Sequence, residues 1–260
     1  MKVLILHLEA PLMSFGGPQV DQIGPTRLFP TLSQVTGLIA NALGYTHRNV
    51  GGLQDLQDRL CLASALVREG SDLLDYQTVD LGQPHLRSPA WTTYGLTEHR
   101  FGGPDARYGT HIRFRHYRAD ASILTAVSLS PAGLTPTLGS VCDALLRPAR
   151  PLVIGRKACL PSTQLVVGLL EDAESLTHAI QRVPSEFPER WREIAPSFTG
   201  TNELAAEWPA DGQDVLPSAG TAIEFHRVVD RRDWRNQLHG GERVVARGSL
   251  TVCAVEDPST

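Results

Sequence analysis

Lysine is nearly absent from this chain: residues 2 and 157 carry the only two. Cysteine is sparse as well, with Cys61, Cys142, Cys159 and Cys253 far apart and no CxxC pair among them. That spacing, and the lack of HExxH, leaves no metal-ligand pattern, and there is no P-loop. Neither a metal, a cofactor nor nucleotide hydrolysis is therefore expected. The thiols are expected to be reduced and mostly buried. No stretch approaches the roughly 18 uninterrupted apolar residues of a membrane span. The opening, "MKVLILHLEAPL", is broken by His7 and Glu9. It reads as a first strand rather than a signal peptide, which points to a cytoplasmic protein.

What is present is an ordinary globular composition. The 260 residues are 42% apolar and 20% charged, enough for one large domain or two small ones. The net charge of −4 excludes a general nucleic-acid binder of high pI. The charge is unevenly spread. Residues 84 to 118 hold six arginines against Glu98 and Asp105, whereas Glu171 to Asp214 hold ten acids against three arginines. A local basic element on an acidic body suits one specific nucleic-acid contact, although surface arginines also serve solubility.

The periodicity predicts an α+β chain. "KVLILHLEA" reads as a buried strand, and "PLMSFGGPQV" forces a loop. In "PTLSQVTGLIANALGY" the residues Leu32, Val35, Leu38, Ile39, Ala42 and Leu43 repeat at helical spacing. Thr31 and Gln34 fit a capping box there, and Gly44 is placed to end the helix. A short helix "GLQDLQDRLC", strands "LASALVRE", "LLDYQTVDL" and "SILTAVSLS", a helix "TPTLGSVCDALLRP", and strands "PLVIG" and "QLVVGLL" follow. Through residue 154 this is a ferredoxin-like (RRM-type) β-α-β-β-α-β core, an antiparallel sheet with two helices on one face. The arginine-rich stretch 84–118 reads as an inserted, projecting hairpin. Residues 1–165 are expected to form the ferredoxin-like domain, and 166–260 a less regular C-terminal region that completes or extends it. In that region "SLTHAIQRV" and "PERWREI" are helical candidates. "DRRDWRNQLHGGERVVARGSLTVCAV" reads as a turn or helix, a Gly-Gly break and a last strand.

Four features carry candidate chemistry. In "PLMSFGGPQ", Gly16 and Gly17 let backbone approach a ligand and Ser14 can donate to phosphate, as a plain strand-to-helix turn would also allow. Arg27 precedes the helix entry, whose free N–H groups and dipole favour an anion. Thr31, Ser33, Gln34 and Thr36 line that first turn, with capping as the alternative role for Thr31. In "LVIGRKACLPS", Arg156 and Lys157 present two cations beside a glycine, which suits phosphate, although a solvated strand end would look the same. The hairpin interleaves arginines with aromatics, among them Arg107, Tyr108, His111 and Arg113, a pattern for stacking on bases and pairing with phosphates. Docking on a neighbouring subunit is the alternative there. Metal-independent RNA cleavage would need an ordered base, acid and cation. Tyr108, His111, His116 and Lys157 do not form such a set by spacing, since residues five apart on a strand face opposite sides.

"LHLEAPLMSFGGPQV…PTRLFPTLSQVTGLIANALG" resembles the N-terminal signature of the CRISPR-associated CasD subunits, the fifth Cas family. "DYQTV", "RHYRADASILTAVSL" and "LVIGRKACLPS" are similar to three further blocks of that family in the same order. "DRRDWRNQLHGG" is similar to the closing block of its type I-E branch. Ala10 and Phe15 depart from the usual glycine and tryptophan of the first loop, and residues 171–225 match no block. The resemblance implies a ferredoxin-like core with a thumb hairpin, acting as a non-catalytic subunit of a Cascade surveillance complex. Such a subunit grips the 5′ handle of the CRISPR RNA. It contacts the backbone subunit, the large subunit and the processing nuclease, and meets target DNA only through the guide. The rival readings are a metal-independent endoribonuclease, as in type I-C relatives, and a purely structural protein–protein subunit.

Overall fold

The first strand, β1 (Val3–Glu9), is apolar at almost every position rather than at alternate ones, because both faces of its sheet are covered. Parity decides which core each side chain joins. Leu4, Leu6 and Leu8 point into one layer, and Val3 and Ile5 into the other. The computed structural model describes residues 1–19, 22–80, 90–91, 97–98, 110–210 and 222–253, without the side chains of 79–80, 90–91, 97–98 and 110–111.

The first layer is built by α1 (Leu32–Ala42), α2 (Val50–Arg59) and α3 (Leu138–Leu146). The Thr31 hydroxyl accepts from Gln34 N, and Gly44 sits at φ +81°, so α1 starts and stops where the sequence predicts. Thr137 caps α3 in the same way through Ser140 N. The second layer is α4 (Leu176–Gln181), α5 (Val183–Glu186) and α6 (Pro188–Ile194), which bury Leu176, Ile180, Val183 and Trp191 against Val3, Ile5 and Leu124. The expectation of helices on one face only is thus corrected. Residues 173–198 supply the second cover that a doubly apolar strand requires.

Between the layers lies a seven-stranded antiparallel sheet. It contains β4 (Leu60–Arg68), β9 (Ser122–Leu129), β10 (Val166–Leu170), β11 (Thr201–Pro209), β12 (Glu224–Asp233) and β13 (Leu238–Cys253), in the order β10-β1-β9-β4-β11-β13-β12. Two expectations fail here. "PLVIG" is an irregular loop, not a strand. Ile154 is buried, its N–H donating to Cys159 O and its carbonyl accepting from Ser14 N, so its apolar character serves a plug rather than a ladder. The edge strand beside β1 is β10 instead, with β9 on its other side. The Gly240–Gly241 pair does not break the last strand, which runs through it. A Cβ on Gly240 would lie 2.3 Å from Asp233 N, so the close hairpin requires glycine.

A second, smaller sheet stands beside this body. Its long strands are β5 (Ser71–Asp80) and β8 (Thr110–Ala119), paired residue by residue from Ser71–Ala119 to Asp80–Thr110. On the other edge of β8 lie β2 (Leu12–Met13), antiparallel, and β3 (Ile23–Gly24), parallel. The ribbon therefore begins near residue 71, upstream of the expected 84, because β5 is the partner of β8. Between them, β6 (Ala90–Trp91) pairs with β7 (Thr97–Glu98). Among the described residues no helix is long and apolar enough to cross a membrane. The four cysteines are free, with Cys159 buried, Cys61 and Cys142 half-buried and Cys253 exposed.

Candidate nucleic-acid interface

Two short loops lock together beneath the small sheet. Ser14 N donates to Ile154 O at 3.2 Å and Phe15 N donates to Thr26 Oγ1 at 3.0 Å. Gly155 sits at φ +103°, and a Cβ on it would fall 1.8 Å from Ser14 O, so no other residue fits. This contact brings the glycine loop, the first turn of α1 and Arg156 to one cleft of about 380 Å³, within the usual range for a ligand site. Of the residues expected from sequence, Ser14, Gly16, Gly17, Thr31, Ser33, Gln34 and Arg156 line it. A fourth wall was not anticipated: Val229, Asp230, Arg232, Trp234 and His239 of the β12–β13 hairpin close the far side.

Arg156 does not stand free. Its guanidinium donates to His116 O at 2.8 Å and Gly24 O at 2.9 Å, and lies 4.7 Å from the centroid of the Tyr117 ring. It fastens β3 to β8. Lys157 beside it is exposed. On β8, Arg113 and Arg115 are exposed two residues apart, so they share a face. With Gln19, Gln22, Gly24 and Arg156 they line a smaller recess of about 230 Å³ next to the cleft. Arg118 of the same strand is buried on Asp72 and the Glu69 carbonyl and is structural.

Of the other expected contributors, Lys157 lies outside the cleft, Arg113 lines the neighbouring recess, and Thr36 and Arg27 are committed elsewhere. Thr36 is wholly buried and its hydroxyl donates to Leu32 O at 2.8 Å, so it serves the helix. Arg27 belongs to a buried ionic cluster. Glu207 and Asp230 have side chains only 3% and 1% exposed, and they are shared among Arg27, Arg243 and Arg247. Asp230 lies 2.9 Å from Arg243, Glu207 lies 2.9 Å from Arg247, and Arg27 reaches Glu207 at 3.5 Å. Burial lowers the Arg27 guanidinium from its ordinary pKa, and Glu207 opposes that.

The same cluster corrects the anion site predicted at the start of α1. Leu32 N donates to Asp230 Oδ2 at 3.0 Å and Gln34 N donates to Thr31 Oγ1 at 3.3 Å. The protein's own carboxylate occupies the place where a phosphate was expected. Arg107 and Tyr108 lie outside the described residues. His111 is on β8 in register with Val79, its side chain likewise outside the description. The signal for the missing wall was "DRRDWRNQLHGG", whose Arg232, Trp234 and His239 reach the cleft only because β12 and β13 are neighbours.

With this geometry in hand, comparison with known proteins is informative. The family model described as "CRISPR-associated protein (Cas_Cas5)" matches residues 3–246. The Escherichia coli (strain K12) protein "CRISPR system Cascade subunit CasD" is 29% identical over 175 residues, covering 66% of this chain and 72% of the relative. A chain from a solved "CRISPR RNA-guided surveillance complex" aligns with a TM-score of 0.59 at 21% identity, over 97% of this chain and 90% of its own. A second, described as "Crystal structure of Cas protein", aligns with a TM-score of 0.54 at 21% identity, over 96% and 94%. The match begins at β1, takes in the glycine loop, α1 and the ribbon, and runs into β13, so every wall of the cleft lies inside it. This chain belongs to the CRISPR-associated Cas_Cas5 family.

Proposed function

We propose that this protein is a non-catalytic subunit of a type I-E-like Cascade surveillance complex that holds the 5′ handle of the CRISPR RNA. It thereby caps the complex and supports RNA-guided antiviral defence in the cytoplasm. Its neighbours are the backbone subunit, the large subunit and the processing nuclease. Target DNA is met only through the guide. The observation that carries this is convergence: seven residues chosen from three separate stretches of sequence line one cleft, beside a recess holding Arg113 and Arg115. The family assignment and the resemblance to CasD support the same reading.

The strand order β10-β1-β9-β4, with α1 and α2 in the first crossover and α3 in the second, supports reading these strands as a ferredoxin-like core. The ribbon of β5 and β8 is its thumb. The division near residue 165 separates the RNA-holding domain from a region that completes it, as the pairing of β11 with β4 supports. Phosphate neutralisation makes binding fall with salt, and handle identity is read on splayed bases.

The test is a pull-down of this chain from cells expressing a CRISPR array and the partner subunits, without the processing nuclease. The 5′ ends of bound RNA are mapped. Precursor alone, with defined handles appearing when the nuclease is restored, supports the holding role. Discrete ends at the repeat without the nuclease would make this chain the endoribonuclease. Complex formation that survives nuclease treatment with no RNA bound would leave a structural subunit.

A further inference from the structure

Resting on the RNA reading above, we propose that the cleft seats a nucleobase rather than a phosphate, that Gln34 reads an amino group on that base, and that the phosphates lie outside on the arginines of β8. The floor of the cleft argues first. Asp230 lines it, is almost wholly buried, and already accepts from the Leu32 N–H, so a phosphate brought to the start of α1 meets a fixed carboxylate. The Leu32 N–H that a phosphate would need at that helix start is already taken by this carboxylate.

The walls argue second. Pro25 and Val229 give apolar surface to the cleft, Phe15 and Trp234 back it as buried residues, and the Arg232 guanidinium lies 5.3 Å from the centroid of the Trp234 ring. Gly16 leaves space, since a Cβ built there meets nothing within 4 Å. A partly apolar lining with an open slot suits a planar ring better than a tetrahedral anion.

Gln34 argues third. Its backbone N–H is used by the Thr31 cap, but its side chain does not close the capping box. Oε1 is buried without a hydrogen-bond partner among the described residues. A buried carbonyl oxygen left unpaired is costly, and rotating the amide into the cleft offers it a donor. A base with an exocyclic amino group beside a ring-nitrogen acceptor matches an amide in both positions. Asp230 at the floor favours the amino group over a keto oxygen. The base is therefore adenine or cytosine rather than uracil. Arg113 and Arg115, outside on the ribbon, follow the backbone.

The experiment measures binding of the full chain to the single-stranded pyrimidine oligomers rC8 and rU8, which are equal in ring size and backbone charge and differ at the amino/keto edge. Wild type is expected to prefer rC8 by about tenfold. Gln34→Leu should bring the two affinities within about twofold, while Gln34→Glu, which keeps an acceptor, retains the preference. Arg115→Ala should weaken both oligomers equally and reduce the salt slope by about one. Equal affinities in wild type, or an unchanged ratio in Gln34→Leu, would overturn the base seat and leave RNA binding intact. If Gln34→Leu does not fold, loss of preference in Gln34→Glu overturns it instead. Failure of wild type to bind either oligomer would overturn the RNA reading itself.

Discussion

Asp230 Oδ2 accepts a 3.0 Å hydrogen bond from the Leu32 N–H, tying the edge strand β12 to the first turn of α1 across 198 residues of chain. The same carboxylate pairs with Arg243 at 2.9 Å. One buried charge thus orients a helix start and a β-hairpin together, and so shapes both sides of the cleft.

Removing it should cost stability in a graded way. Asp230→Ala leaves the Leu32 N–H and the Arg243 guanidinium without their shared acceptor, at about 3–5 kcal/mol. Asp230→Asn keeps an acceptor and should lose about 1–3 kcal/mol. Urea midpoints of the two variants decide it. Equal midpoints would mean that the charge does not organise this junction.

Gly168 on β10 is pressed against an aromatic ring, since a Cβ there would lie 2.2 Å from Phe187. Gly168→Ala should destabilise by about 1–3 kcal/mol through overpacking. Adding Phe187→Leu should return part of the loss. A double-mutant cycle with no coupling between these sites would contradict the contact.

His7 is buried on β1, with Nε2 2.8 Å from Ser122 Oγ and Nδ1 3.4 Å from Thr163 Oγ1. Burial pushes its pKa down to about 4, against the pull of Glu9. The folded state therefore holds it neutral while the unfolded chain titrates near 6.5. Its contribution to stability is complete above about pH 6.5 and is lost as pH falls toward 4, at up to about 1.4 kcal/mol per pH unit. Unfolding free energies at pH 7, 6 and 5 should show this slope, and His7→Gln should flatten it. An unchanged slope in that variant would assign the acid sensitivity elsewhere.

Arg156 and Lys157 are adjacent but not equivalent. Arg156→Ala should lower stability by about 1–3 kcal/mol, because it abandons the His116 and Gly24 carbonyls. Lys157→Ala should leave the midpoint within about 0.5 kcal/mol and lower the slope of RNA affinity against salt by about one. An RNA effect without a salt-slope change would place Lys157 away from the phosphates.

Elements with clean periodicity were legible. α1, α3, β4, β9 and β10 appear where apolar spacing and caps predict them, because local rules and tertiary packing agree there. β11 and β12 escaped prediction. Their inward positions carry Glu207 and Asp230, whose charges are satisfied by arginines from β13 and from Arg27. A buried charge reads in sequence as solvent-facing, and only its partners reveal otherwise. "PLVIG" misled in the opposite sense, as an apolar run that fills space without pairing.

Local pattern alone accounts for the α+β class, the start and end of α1, the strands β1, β4, β5, β9 and β10, and the residue types that gather around the glycine loop. Those follow from neighbours within a few positions. Only the tertiary structure decided that both sheet faces are covered, that the β12–β13 hairpin closes the cleft, that Arg156 is a fastening and that Asp230 fills the helix start. Each of these depends on contacts between residues far apart in the chain, where spacing along the sequence carries no information about distance in space.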